Sequence, residues 1–299
     1  MVHSSDTKYT QVSFLADDSY KLYGTYISSV GSATLMPVLI CPATGVKQTF
    51  YLPFASWLSA KGHSVLVFDY RGIGASLPQT GLKASRAQKQ DWGEKDMPAA
   101  LAWLLNQTGQ KQAILIGHSA GAQLVGLMPN HQAISHLIAV SASSGYIGNV
   151  RFPMRIAAFF FVWVYIPLMV RLFGYLPAKR IGWGENLPAG VAQQWARWCR
   201  HPGYVENDFN KSIKKNYFRD LTFSITLFHA IDDPLATNRN VDDWLRLLPA
   251  APKNIVVLKP EECDGQPIGH INMFRLSHAT IWPRLLDLKE CPPEALQAK

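Results

Sequence analysis

LIGHSAGAQL, residues 115–124, decides how this chain is read. One serine, Ser119, stands between Gly117 and Gly121, behind an apolar run and ahead of small, helix-compatible residues. With ordinary glycine usage a G-x-S-x-G pentapeptide arises by chance in roughly one chain in ten of this length, so its surroundings carry the weight. Residues 113–117 read as an apolar strand and residues 120–127 as a helix. On a sharp strand-to-helix turn, the flanking glycines keep side chains clear and the serine hydroxyl projects above the sheet. The same turn brings the Ala120 N–H to a helix N-terminus, where it can face a developing oxyanion.

Outward from that turn the chain alternates. Residues 10–14 and 21–27 flank a polar turn at Asp17-Asp18 and read as a hairpin. Residues 37–41, 64–69, 113–117 and 136–141 are short runs rich in Val, Ile and Leu, the composition of strands covered on both faces. Helical stretches near 50–60, 91–105 and 120–127 separate them. That pattern predicts an α/β fold with a mostly parallel central sheet flanked by helices. From residue 145 to about 216 the alternation stops and aromatics crowd in, among them Phe159, Phe160, Phe161, Trp163, Trp183, Trp195 and Trp198. It resumes with a strand at 224–230, a helix at 238–248, a strand at 254–258 and a helix at 271–288. Residues 1–144 and 217–299 are therefore expected to form one core, with 145–216 inserted as a helical cap.

The apolar run at 156–170, between Arg155 and Arg171, is shorter than the ~20 residues a membrane span needs, and Pro167 interrupts it. A buried or cap helix is expected there, with a membrane-surface segment as the alternative.

Composition narrows the classes. Apolar residues make up 48% and charged residues 17% of 299, enough for a large core and against global disorder. The formal charge is +8, but the basic clusters at Lys179-Arg180 and 211–215 are short and resemble no nucleic-acid module. Solvated surface is their ordinary reading, with attraction for anionic lipid or acidic ligands as the other. Cys41, Cys199, Cys263 and Cys291 lack C-x-x-C spacing, which argues against a zinc site and against a disulfide framework. The start of the sequence has no apolar signal segment, so a cytoplasmic location is expected. The pattern specifies no oligomeric state.

A serine hydroxyl needs a base, and the base must be oriented. After a strand–serine–helix turn on an α/β sheet, the acid and then the histidine follow in chain order. Asp232-Asp233 lies just past the strand at 224–230, and His270 lies on the loop after the strand at 254–258. Both positions fall at strand carboxyl ends, where open α/β sheets gather ligands. Of the nine histidines, His118 lies inside the turn, His229 within a strand and His278 within the last helix, which leaves His270. Pro234 biases Asp233 towards extended backbone and favours it over Asp232. The second oxyanion donor should come from the small-residue loop Pro42-Ala43-Thr44-Gly45, with Thr44 first and Gly45 next.

From about residue 20 to 288 the sequence resembles the α/β-hydrolase superfamily. Gly117-His118-Ser119-Ala120-Gly121 is joined by Asp69-Tyr70-Arg71-Gly72-Ile73-Gly74-Ala75-Ser76, similar to the family's D-x-R-G-x-G-x-S segment. Ala230-Ile231-Asp232-Asp233 resembles its acid loop, with Ala230 in place of the usual Gly, and implies Asp233 as the acid. Gly269-His270 resembles its catalytic G-H. More narrowly, Ala43-Thr44-Gly45-Val46 and Trp195-Ala196-Arg197-Trp198-Cys199 resemble uncharacterised bacterial hydrolases related to the serine aminopeptidase and monoglyceride-lipase-like group. Pro42-Ala43 stands where many relatives carry His-Gly. The resemblance implies a serine hydrolase needing no metal or organic cofactor, with Ser119, Asp233 and His270 as triad and Ala120 and Thr44 as oxyanion donors. A small-molecule hydrophobic ester is the expected substrate. Aminopeptidase and acyltransferase are the alternatives within the same chemistry, and a non-catalytic ligand-binding protein is the alternative outside it.

Overall fold

The computed structural model describes residues 9–30 and 35–286. Eight strands form one sheet: β1 (Tyr9–Leu15), β2 (Lys21–Ile27), β3 (Leu35–Cys41), β4 (His63–Asp69), β5 (Ala113–His118), β6 (Ile134–Val140), β9 (Ser224–Ala230) and β10 (Lys253–Leu258). A separate antiparallel pair, β7 (Tyr175–Leu176) and β8 (Leu187–Pro188), lies in the segment between β6 and β9. The order across the large sheet is β1-β2-β4-β3-β5-β6-β9-β10. β1 pairs with β2 and β2 with β4 antiparallel, and every other pairing is parallel. Every residue of β4 and β5 is buried, as their unbroken apolar composition predicts for strands covered on both faces.

Successive side chains of a strand face opposite ways. Val38, Ile40, Ile114 and Ile116 accordingly enter one core with Phe54, Phe274 and Trp282, while Leu39, Cys41 and Leu115 enter the other with Trp92, Leu101 and Leu104. From β3 the chain crosses to β4 on one side, and β5 then returns to the other side of β3. In such sheets the usual ligand position is at that reversal, above the carboxyl ends of β3 and β5. The loop at 42–45 and Ser119 both start from those ends.

The segment between β6 and β9 carries a helix over Met154–Phe173, 20 residues long, and a second helix over Ala189–Cys199. Two expectations need correction here. Pro167 does not interrupt the helix: a π turn at Phe161–Tyr165 joins Met154–Phe160 to Ile166–Phe173 just before it, so the missing N–H falls where the regular hydrogen-bond ladder is already displaced. The expected last helix is broken: short 3-10 turns at Asn272–Phe274 and Leu276–Ile281 precede the helix Trp282–Leu285, because Arg275 is extended. Residues 287 and 288 of that expectation, and Cys291, lie outside the described residues; Cys41, Cys199 and Cys263 are free and buried.

Candidate active site

Ser119 caps the short helix Ala120–Gln123 with φ 49° and ψ −108°, a backbone conformation that side chains rarely adopt. Two glycines make room for it. A side chain at Gly117 would collide with the backbone of Ala122, and one at Gly121 with the carbonyl of Cys41. The turn is held from below by the Ser119 N–H, which donates to the Val140 carbonyl at 2.8 Å.

The three residues expected to act together are together. The Ser119 hydroxyl donates to His270 Nε2 at 3.1 Å, and His270 Nδ1–H donates to Asp233 Oδ2 at 2.7 Å. Asp233 is fully buried, and its Oδ1 accepts the N–H groups of Leu235 (2.8 Å) and Ala236 (3.0 Å). Burial by itself would raise the Asp233 pKa; the facing His270 and these hydrogen bonds outweigh it and hold the carboxyl below its ordinary value. His270 shows the reciprocal balance. Burial works to lower its pKa, but the Asp233 charge and hydrogen bond prevail and raise it.

Asp232, the rejected member of the acid pair, has its own task. Its Oδ2 accepts the Ile268 N–H at 2.9 Å and its Oδ1 the Gly269 N–H at 3.0 Å, so it clamps the loop that carries His270. His278 holds the same loop from the other side through the Pro267 carbonyl at 3.1 Å.

Tyr51 and His118 tie the loops together. The Ala43 N–H donates to Tyr51 Oη at 2.9 Å, Tyr51 O–H donates to His118 Nδ1 at 2.8 Å, and His118 Nε2–H donates to the His270 carbonyl at 2.8 Å. Burial, aided by the neighbouring His270, lowers the His118 pKa to about 3, so the ring stays neutral and keeps one donor and one acceptor nitrogen. Both His118 ring nitrogens are thus engaged by Tyr51 and the His270 carbonyl, not by Ser119. A tyrosine on a 3-10 turn carries no motif, so nothing in the sequence singled out Tyr51.

The loop at 42–45 turns back on itself through the Val46 N–H to Ala43 carbonyl bond at 3.2 Å, which leaves Thr44 and Gly45 at its tip. The Ala43 N–H is already used by Tyr51, so the loop's other N–H groups are those of Thr44 and Gly45. Lys89, fully buried, reaches this tip and donates to Thr44 Oγ1 at 2.6 Å. Its ammonium also lies 4.3 Å from the centre of the Trp92 ring and 5.7 Å from that of Trp195. The segment between β6 and β9 touches both site loops. The Glu185 N–H donates to the Gly45 carbonyl at 2.7 Å, and the Arg151 N–H to the Pro234 carbonyl at 2.9 Å.

The D-x-R-G-x-G-x-S segment is a brace. Asp69 accepts the N–H groups of Gln48 (2.8 Å) and Ala75 (2.9 Å), Ser76 closes back onto the Asp69 carbonyl, and buried Arg71 pairs with Asp96 at 2.6 Å. None of these groups hydrogen-bonds the Ser119–His270–Asp233 chain.

Residues 38–285 match the model of the alpha/beta hydrolase family, and the chain belongs to that family. Comparison with curated proteins gives no match. Among solved structures the chain is similar to an esterase of Pyrococcus furiosus (17% identity, TM-score 0.59), covering 93% of this chain and 90% of that one. It is also similar to the α/β hydrolase GrgF from a Penicillium species, at 21% identity and TM-score 0.58 over 95% and 99% of the two chains. An acylaminoacyl peptidase of Pyrococcus horikoshii shares 12% identity and TM-score 0.57 over 93% of this chain but 40% of its own. At these identities the likeness concerns the fold.

Proposed function

We propose that this protein is a serine hydrolase that cleaves a carboxylic ester of a hydrophobic acyl group, with residues 145–216 as its cap. The observation that carries the proposal is the continuous hydrogen-bond chain from Ser119 Oγ through His270 to buried Asp233. In this reading His270 Nε2 takes the hydroxyl proton as Ser119 Oγ attacks the ester carbonyl, and Asp233 stabilises the imidazolium that forms. The negative oxygen of the tetrahedral intermediate is met by the N–H of Ala120 and that of Thr44, with Gly45 as the alternative to Thr44. Collapse breaks the ester C–O bond, and His270 returns the proton to the departing alkoxide. Water, deprotonated by His270, then attacks the acyl-Ser119 ester and releases the acid, which restores the hydroxyl.

A hydrophobic acyl group is supported by the insertion, where residues 145–184 contain no Asp or Glu and aromatic side chains are dense. The test is direct. A fluorophosphonate probe is expected to label the protein at Ser119, and Ser119→Ala to lose both labelling and p-nitrophenyl ester turnover. Turnover that survives Ser119→Ala would refute the proposal.

A further inference from the structure

The helix Met154–Phe173 buries a narrow stripe and leaves the rest to solvent. Ala158, Phe161, Val162, Ile166 and Val170 face inward, and Phe161 packs against the rings of Tyr165, Trp183 and Trp195. On the outer side Ile156 is 63% exposed, Phe159 55%, Phe160 57% and Leu172 63%, with Trp163 and Leu168 between them. Polar side chains would ordinarily occupy such a face on a helix laid against a domain. A contiguous apolar surface of this kind marks a contact site.

The charges around it indicate what it contacts. Exposed Arg155 stands near one end of the helix and exposed Arg171 near the other. Beyond the second end come Lys179 and Arg180, also exposed, the latter lying over the Phe173 ring. Glu185 pairs with Lys179 at 3.1 Å, whereas Arg155, Arg171 and Arg180 have no acidic partner among the described residues. An apolar band with aromatic rings at its middle and arginines at its margins complements a bilayer surface whose headgroups are anionic. A second copy of this chain is a poorer occupant, because its own arginines would be brought against these.

The helix is long enough to span a membrane, but its attachments oppose that. Its inner stripe is covered by the insertion's own core. At its start, the Arg151 N–H binds the Pro234 carbonyl on the Asp233 loop, and at its end the chain turns at Gly174 into β7. Both ends are therefore held against the same body, and the helix can lie in an interface without crossing it.

We propose that the outer face of Met154–Phe173 docks this protein on the surface of an anionic lipid bilayer, with the helix lying parallel to it. The docking is independent of the chemistry at Ser119.

The experiment is co-sedimentation of the full chain with phosphatidylcholine vesicles, with and without phosphatidylglycerol, at low and high salt. Binding is expected to be strongest with phosphatidylglycerol at low salt and to weaken as salt screens the arginines. Phe159→Ser/Phe160→Ser/Leu172→Ser is expected to lower the bound fraction by about tenfold or more, since each change removes apolar area from the interface. Arg155→Gln/Arg171→Gln should reduce the preference for phosphatidylglycerol and leave the weaker binding to phosphatidylcholine. All five positions are on the surface, and unchanged melting curves will show that the variants fold. No binding at low salt, or equal binding by the native protein and the triple-serine variant, would overturn the proposal. So would retention on the vesicles after alkaline carbonate, which would show a span, or dimerisation without vesicle binding, which would assign the face to a second copy.

Discussion

Lys89 gives the sharpest quantitative test of the site's surroundings. Its ammonium is fully buried, its one hydrogen-bond acceptor among the described residues is Thr44 Oγ1, and its other close contacts include the rings of Trp92 and Trp195. Burial lowers its pKa from 10.5 to about 7, against a smaller opposing effect of Cys199. In the unfolded chain the value returns to 10.5. Between those two values the unfolded state holds a proton that the folded state lacks, so this residue's contribution to stability rises with pH across that window. Below about pH 7 the lysine is charged in both states and its contribution is flat and least favourable. At about 1.4 kcal/mol per pH unit the whole displacement corresponds to about 5 kcal/mol.

Lys89→Met keeps the chain length and the apolar slot but removes the titration. The stability of the variant relative to the native protein, from urea midpoints and slopes, should therefore fall by about 4 kcal/mol between about pH 6 and pH 10. Other titrating groups are common to both proteins and cancel in the difference. Losing the donor to Thr44 adds about 1 kcal/mol against the variant, independent of pH. A flat difference across the range would refute the reasoning. It would mean that Thr44 and the two rings are enough to hold the cation in the interior.

The tandem acids should separate in a single assay. Asp233→Asn is expected to lower kcat for ester turnover by about 10⁴-fold, because an amide no longer holds the imidazole in the right tautomer. Asp232→Asn should cost only about ten- to a hundredfold, since it loosens the two N–H contacts that place the His270 loop; the reverse ranking would show the assignment to be wrong. The pH profile of kcat/KM should report His270, whose pKa lies above the ordinary 6.5. Only the neutral imidazole accepts the Ser119 proton, so activity should fall as pH drops through a midpoint above 6.5, and a midpoint at or below 6.5 would contradict the charge balance.

The sheet was legible because β3, β4, β5 and β6 are short apolar runs whose composition itself reports burial on both faces. The positions of Ser119, Asp233 and His270 were legible because chain order and strand ends constrain them together. Asp232 was read only as the loser of a choice; that it binds two N–H groups of a loop 36 and 37 residues away depends on the pairing of β9 with β10, which no local pattern encodes. The helix at Met154–Phe173 was legible as apolar and illegible as exposed. Composition tells how much a residue gains by leaving water, while the neighbouring elements decide whether it can.

The chain of bonds from Ala43 through Tyr51 and His118 to His270 uses the backbone of the histidine loop and no side chain of Ser119, Asp233 or His270. Scaffold and chemistry are thus separable here. A variant that deletes any one reactive side chain leaves the cross-loop bracing in place, so a lost rate can be attributed to the missing group and not to a collapsed pocket. Conversely, damage to Tyr51 or His118 would blur all three loops at once while every reactive atom stayed present.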